Sequence, residues 1–178
     1  DLMLKDNPLN VRPWLYMGYQ HFAIKQYHHA IQWLLKFAGD ERGTLIERWE
    51  AMCYVSKAYR VLKDYQSALK ASSAAMLMMP HLSDAYFEMG LAYKEQGQWE
   101  KAVHWLELGL DRQPTPTFIL FAPLEHTFHP WAALSEALFK LGNIEASIRY
   151  GEKALEIIPE KTLAQNMLAC KGIMADEA

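Results

Sequence analysis

A small residue recurs at a fixed interval along this chain, and the interval constrains the fold more than any other feature does. In residues 90–114, Gly90, Ala102 and Pro114 are twelve residues apart. The same spacing returns in three further stretches, in full or for its first half: Gly18 and Ala30; Ser56, Ala68 and Pro80; Ser135, Ser147 and Pro159. The chain therefore contains four repeat units.

Large residues around these positions follow a helical period. They recur at intervals of three and four, which belong to one face of a helix: Trp14, Met17 and His21; Met52, Val55 and Tyr59; Tyr86, Met89 and Tyr93; Trp131, Leu134 and Leu138. A short break follows each set, at 25–27, 63–65, 97–99 and 142–144, and a second amphipathic segment comes after it. Each unit is thus predicted to be two antiparallel helices joined by a tight turn.

The small residues have a physical cause in such a pair. Where two helices cross closely, a large side chain would push the axes beyond their usual separation of about 8–10 Å. Gly, Ala or Ser at the crossing lets the backbones approach. Proline ends a helix because it lacks the amide hydrogen, so we expect Pro80, Pro114 and Pro159 to mark the ends of second helices.

The composition excludes several classes of partner. Of the 178 residues, 51% are apolar and 22% are charged, so the chain can bury a substantial core. The net charge of −3 supplies no broad basic surface, and we expect no nucleic acid as partner. The longest apolar runs, at 74–79 and 118–122, are shorter than the roughly 20 residues of a membrane-spanning helix, so we expect no membrane partner either.

The cysteines and the first residue bear on location. Cys53 and Cys170 are far apart and outside any CxxC motif, which predicts neither a disulfide framework nor a zinc knuckle. A reducing compartment is the simplest location, and we expect the chain to be cytoplasmic. No secretory signal is visible, and because the chain begins with Asp1 we interpret it as part of a longer protein.

The third unit carries the residues of a known family. The signature W-x2-L-G-x2-Y, A-x3-F and P is matched by Tyr86, Met89, Gly90, Tyr93, Ala102, Leu106 and Pro114, so the chain resembles the tetratricopeptide repeat family. Other units depart from it at Arg42, Ser72, Ser147 and Gly151. The resemblance implies an all-α fold: a right-handed α-solenoid of four helix pairs plus a C-terminal capping helix, in a single domain over residues 1–178. The implied repeats are about 11–44, 49–82, 83–116 and 128–161, with the capping helix at 162–175.

Two intervals between units differ from 34 residues. Gly18 and Ser56 are 38 apart, which adds about four residues in a helix end or loop. Gly90 and Ser135 are 45 apart, which predicts an insertion at 117–127. Because the insertion is rich in large apolar side chains, each costing about 1.5–3 kcal/mol to leave in water, we expect it to pack against the helices. It would do so either as filler or as part of a binding surface.

The resemblance implies that the first helix of each pair lines a concave binding face. Its candidate residues are Tyr16, Tyr19, Tyr54, Lys57, Arg60, Phe87, Glu88, Leu91, His129 and Glu136, together with Phe22 and Phe139. An aromatic lining with scattered charge suits an extended or helical protein segment, or a neighbouring domain of the same chain. The alternative is that these aromatic residues pack between neighbouring units. Some members of the family hold the terminal carboxylate of a chaperone peptide, but Asp84 and Glu88 at those positions would repel it.

Catalytic and metal-ligating motifs are not apparent. Glu125, His126 and His129 lie in "EHTFH", but the spacing differs from the HExxH of zinc enzymes, and no third ligand follows. There is no phosphate-binding glycine loop and no nucleophile motif, so we predict neither catalytic residues nor a cofactor.

Two functions therefore stay open. The first is a non-catalytic scaffold that binds protein or peptide. The second rests on layout, which loosely resembles the helical region after the catalytic domain of certain bacterial or phage-type glycosyltransferases. That likeness implies an acceptor-binding or oligomerisation role within a larger enzyme.

Overall fold

The structure, a computed structural model, describes residues 10–114 and 128–176, with side chains up to residue 172. Over these ranges the fold is all-α, as predicted. The chain divides between His81 and Leu82 into two compact bodies. The N-terminal body contains α1 (Arg12–Ala23), α2 (Tyr27–Ala38), α3 (Leu45–Val61) and α4 (Tyr65–Met78). The C-terminal body contains α5 (Asp84–Glu95), α6 (Trp99–Leu110), α7 (Phe128–Lys140), α8 (Ile144–Ile157) and α9 (Lys161–Asp176).

The helices pack in the predicted pairs, α1 with α2, α3 with α4, α5 with α6 and α7 with α8. Each pair reverses at one residue with a left-handed backbone: Lys25, Lys63, Gly97 and Gly142, with φ between 61° and 77°. The next residue donates its amide hydrogen to a carbonyl five positions earlier, as Asn143 does to Leu138 at 3.0 Å. The four short breaks in the sequence are therefore one turn built four times.

Within each pair the small residues lie where the helices cross. A Cβ on Gly18 would come within 2.6 Å of the Leu34 side chain, and one on Gly90 within 2.6 Å of Leu106. In the second pair, the hydroxyl oxygens of Ser56 and Ser72 are 2.6 Å apart and fully buried. Each crossing residue thus meets the residue sixteen positions later, and a larger side chain there would separate the helices.

The longer interval between the first two units appears mainly in α3, which has 17 residues where α1 and α5 have 12. Its start is fixed by a capping box. The Thr44 hydroxyl accepts a hydrogen bond from the Glu47 amide, and the Glu47 carboxylate accepts one from the Thr44 amide. Such reciprocal bonds satisfy amides that a helix start would otherwise leave unpaired.

Large side chains fill the space on either side of the crossings. In the N-terminal body Trp49 and Phe37 are fully buried. In the C-terminal body Phe87, Leu106 and Leu134 form one apolar cluster that joins α5, α6 and α7. No helix among the described residues is long and apolar enough to cross a membrane. The predicted insertion at 117–127, with Glu125 and His126, lies outside the described residues.

Candidate partner-binding surface

Four of the predicted binding residues lie together on the first helices of the N-terminal body. The rings of Tyr19 on α1 and Tyr54 on α3 are 4.8 Å apart between centroids. Phe22 meets the edge of Tyr54 at 5.1 Å, and the Lys57 ammonium lies 5.6 Å from the centre of the Phe22 ring. We call Tyr16, Tyr19, Phe22, Tyr54 and Lys57 the N-terminal aromatic face. Its rings hold α1 against α3 through edge and tilted contacts, the geometry that aromatic pairs prefer.

The residues of this face differ in how far they reach solvent. Tyr16 is 49% exposed, one turn before the buried Tyr19. Phe22, Tyr54 and Lys57 are half-buried, and so is Arg60, one turn beyond Lys57 on α3. The two alternatives for the aromatic residues, packing between units and exposure on a binding face, thus each describe a different residue. Tyr19 packs between the helices, whereas the ring of Tyr16 is exposed to solvent.

A carboxylate lies beneath the aromatic face. Glu50 on α3 is 6% exposed, one turn before Tyr54. Burial raises the pKa of the Tyr19 hydroxyl well above its usual range, and the nearby Glu50 charge raises this pKa further. Tyr19 is therefore a neutral phenol beside the Glu50 carboxylate.

The predicted residues of the C-terminal body are placed differently. Phe87 is 5% exposed and belongs to the core, because Gly109 on α6 leaves room for its ring. Leu91 is half-buried against the same cluster. Phe87 is thus not on a surface that a partner could reach, and the alternative of packing between helices describes it correctly.

The charged residues on α5 and α7 remain near solvent. Glu136 on α7 accepts a hydrogen bond from the Lys94 ammonium on α5 at 2.6 Å. Glu88 is half-buried, His129 is exposed, and Phe139 is 40% exposed. Apart from Phe139, these side chains form a polar surface in the C-terminal body, in contrast to the aromatic face of the N-terminal body.

Glu50 and Lys94 were not among the predicted surface residues. Glu50 lies at a helix position that the repeat pattern assigns to neither the crossing nor the binding face. Lys94 is noteworthy only through Glu136, which lies 42 positions away in sequence. The sequence feature that could have identified Glu50 is a charged residue inside the long helix α3. The feature that could have identified the pair of Lys94 and Glu136 is their position on neighbouring first helices.

Histidines and acids do not gather into a metal site in the described parts of the chain, where no group of three potential ligands occurs. His21 and His29 stack at 5.3 Å between ring centroids, and the Nδ1 atom of His21 lies 2.7 Å from the amide oxygen of Gln26. A ring nitrogen of His21 therefore contacts the turn that joins α1 to α2.

Two of the repeat units match family models. Both models are described as tetratricopeptide repeat, and they match residues 83–116 and 128–161. These two stretches of the chain are tetratricopeptide repeats. These are the third and fourth units defined by the spacing of small residues, so the family resemblance seen in the sequence is confirmed. No curated protein sequence matches the chain.

Solved structures extend the likeness to most of the chain. A crystal structure of MamA is 25% identical, with a TM-score of 0.65, over 86% of this chain and 81% of that one. TTC0263, a thermophilic tetratricopeptide protein of Thermus thermophilus, is 20% identical, with a TM-score of 0.67, over 94% and 84%. MamA 41-end from Desulfovibrio magneticus RS-1 is 17% identical, with a TM-score of 0.71, over 93% and 86%.

These likenesses confirm the fold class, an all-α solenoid of tetratricopeptide type. The repeats and the MamA-like neighbours also support a protein-interaction scaffold as the general role. The glycosyltransferase reading of the chain's layout stays a prediction.

Proposed function

We propose that the chain is a non-catalytic scaffold whose N-terminal aromatic face binds an extended or helical segment of a partner protein. Helical repeats expose rows of side chains at regular spacing, so a partner segment can place its own side chains against successive helices. A tetratricopeptide scaffold needs a surface and no reaction centre. The cytoplasmic location expected from the sequence is part of this proposal, and the buried, reduced thiols of Cys53 and Cys170 support it.

The observation that carries the proposal is the contact of Tyr19, Phe22 and Tyr54 across α1 and α3. The buried ring of Tyr19 helps to hold the half-buried rings of Phe22 and Tyr54 in place before any partner arrives, so little conformational entropy is lost when an apolar side chain packs on those two. The exposed ring of Tyr16 adds contact area one turn away. Aromatic residues of this kind dominate the energy of many protein interfaces.

The charges at the edge of the face are suited to setting the register of the partner. Lys57 lies over the rings of Phe22 and Tyr54, at 5.6 and 6.0 Å from their centres, and Arg60 follows one turn later. Cations near an apolar contact contribute more to orientation and association rate than to affinity. A partner segment with an apolar anchor and an acidic residue beside it fits this arrangement.

Selection from a displayed peptide library, with the purified chain as bait, tests the proposal. Recovered peptides are measured again on the variants Tyr16→Ala and Lys57→Ala. Leu77→Ala is the matched control, because Leu77 on the second helix α4 is 87% exposed and lies outside the face. We expect Tyr16→Ala to weaken binding about tenfold and Leu77→Ala to leave it unchanged. If the peptides bind Tyr16→Ala and Lys57→Ala as tightly as they bind the native chain, the N-terminal aromatic face is not the binding site.

A further inference from the structure

Lys57 lies over two rings of the N-terminal aromatic face. Its ammonium nitrogen is 5.6 Å from the centre of the Phe22 ring and 6.0 Å from the centre of the Tyr54 ring, and all three residues are half-buried. The two rings meet edge to face at 5.1 Å, so the ammonium contacts both. A cation at such a distance is attracted by the electron-rich face of an aromatic ring. Lys57 therefore covers part of the surface on which an apolar anchor of a partner would pack.

The C-terminal body has a different contact at the same place in the repeat. On neighbouring first helices, the residue four positions after one crossing residue contacts the residue one position after the next crossing residue. In the C-terminal body these are Lys94 and Glu136, which form an ion pair at 2.6 Å. In the N-terminal body they are Phe22 and Lys57, so a ring takes the place of a charge. A ring holds a half-buried cation weakly, and a partner carboxylate can replace it by a charge-assisted hydrogen bond.

The charge of the N-terminal body favours a carboxylate on the partner. Residues 10–81 contain nine Lys and Arg and five Asp and Glu, a formal charge of +4. Residues 82–178 contain eight and fourteen, a formal charge of −6. The second helices α2 and α4 of the N-terminal body contain no acidic residue. An excess of positive charge attracts acidic segments and disfavours basic ones.

We infer that Lys57 determines which segments this face accepts. It disfavours uncharged apolar segments and admits segments that carry a carboxylate next to the apolar anchor; this inference rests on the proposed function, because it concerns the same face. An uncharged anchor breaks the contact between the ammonium and the rings and replaces it with no other. An aspartate or glutamate beside the anchor binds the ammonium, and this uncovers Phe22 and Tyr54 for the anchor. The selection thus depends on a cost to the wrong partner as well as on a contact with the right one.

The peptides selected on the native chain are the probes for the test. Each is made in two forms, one with its acidic residue and one with the corresponding amide, and both are titrated by fluorescence anisotropy. The native chain is compared with Lys57→Met and Lys57→Arg, and Lys70→Met on α4 is the matched control at an exposed lysine outside the face. We expect the native chain to bind the acidic form about tenfold more tightly than the amide form.

The two forms should respond to Lys57→Met in opposite directions. The acidic form should bind more weakly than to the native chain, because its counter-charge is gone. The amide form should bind more tightly, because no ammonium covers the rings. Lys57→Arg and Lys70→Met should keep the preference for the acidic form. Loss of an ordinary ion pair would leave the amide form unchanged, so the gain for the amide form is specific to the covering role.

NMR of the Lys57 side chain gives a second measurement. Ring currents of Phe22 and Tyr54 should shift its ε-methylene protons upfield in the chain alone. Binding of the acidic form should reduce this shift, because the ammonium leaves the rings. Circular dichroism of each variant checks that the helices are intact.

The outcomes separate this inference from the proposed function. If Tyr16→Ala weakens binding but the selected peptides carry no acidic residue, the face binds partners and Lys57 does not select them. The same conclusion follows if Lys57→Met weakens both forms equally or leaves the amide form unchanged, or if the ring-current shift persists in the complex. If no selected peptide depends on Tyr16, both the proposed function and the role of Lys57 are wrong.

Discussion

Gly90 on α5 lies directly against Leu106 on α6, and a Cβ on Gly90 would come within 2.6 Å of the Leu106 Cγ atom and 3.1 Å of its backbone nitrogen. The close approach to backbone leaves little room for relaxation by a side-chain movement alone. The same relationship joins Gly18 to Leu34, sixteen positions apart. The fold of each pair thus depends on how near two helix backbones can come.

The first prediction concerns this crossing. Gly90→Ala should lower the free energy of unfolding by about 1–3 kcal/mol through overpacking, although alanine is the better helix former. Urea unfolding followed by circular dichroism measures it. Gly172→Ala is the control, because nothing lies within 4 Å of the added methyl group, and it should be neutral or stabilising. The double variant Gly90→Ala, Leu106→Ala should lose less free energy of unfolding than the two single variants lose in total.

How far the sequence predicts this architecture depends on the kind of contact. Gly90 and Leu106 belong to one repeat and share one period, so their pairing is readable from spacing alone. Phe87 shares the period of the binding face, yet it lies in the core because Gly109 makes a space for its ring. A helical period predicts the face of the helix on which a side chain lies, but it does not predict the residue that this side chain packs against. The size of that neighbouring residue determines whether the side chain is buried.

The contacts within the N-terminal aromatic face could not be predicted from the sequence period either. The sequence placed Tyr19 and Tyr54 on first helices, but their contact joins positions 35 apart in two different pairs. Such distances depend on how one pair stacks on the next, which the spacing within a pair does not determine. Glu50 is a further case, since a buried carboxylate is an exception to apolar patterning and no period predicts it.

The second prediction concerns the hydroxyl pair at the second crossing. Ser56 donates to the carbonyl of Ala68 at 3.0 Å, and its oxygen lies 2.6 Å from that of Ser72. Ser56→Ala should cost about 1–3 kcal/mol, because it removes a partner of a fully buried hydroxyl. Replacing both serines by alanine should cost less than the two single changes summed. Ser73→Ala, at the exposed neighbour, is the control and should change the free energy of unfolding by less than about 0.5 kcal/mol.

The third prediction concerns the turns within the pairs. Lys63 has φ of 62°, and a left-handed backbone costs a residue other than glycine about 1 kcal/mol. Lys63→Gly should therefore stabilise the chain by up to about 1 kcal/mol, as thermal unfolding would show. The reverse change, Gly142→Ala, should destabilise the chain by a similar amount, because alanine would have to adopt the left-handed backbone. No clash adds to this cost, since no atom lies within 4 Å of the added methyl group. Lys70→Gly, inside α4, is the control and should destabilise the chain, so a gain from Lys70→Gly as well would contradict the account.

The fourth prediction is a dependence of stability on pH that arises at Glu47. Burial raises the pKa of this carboxyl, but the hydrogen bonds from Thr44 and the nearby Arg12 guanidinium, 2.8 Å away, outweigh burial and bring the pKa below its usual 4.5. Because the folded pKa is the lower one, the carboxylate stabilises the fold above about pH 4.5, and this stabilisation is lost as pH falls through the folded value.

Glu47→Gln should therefore be less stable than the native chain at pH 7, and the difference should shrink in acid. Urea unfolding at several pH values measures it, with Glu156→Gln, at an exposed position of α8, as the matched control. Arg12→Ala should move the Glu47 titration upward, because one source of positive potential is gone while burial remains. Carbon-detected NMR of the Glu47 carboxyl gives this shift directly. A titration that Arg12→Ala leaves in place would show that the Thr44 capping box alone sets the protonation of Glu47.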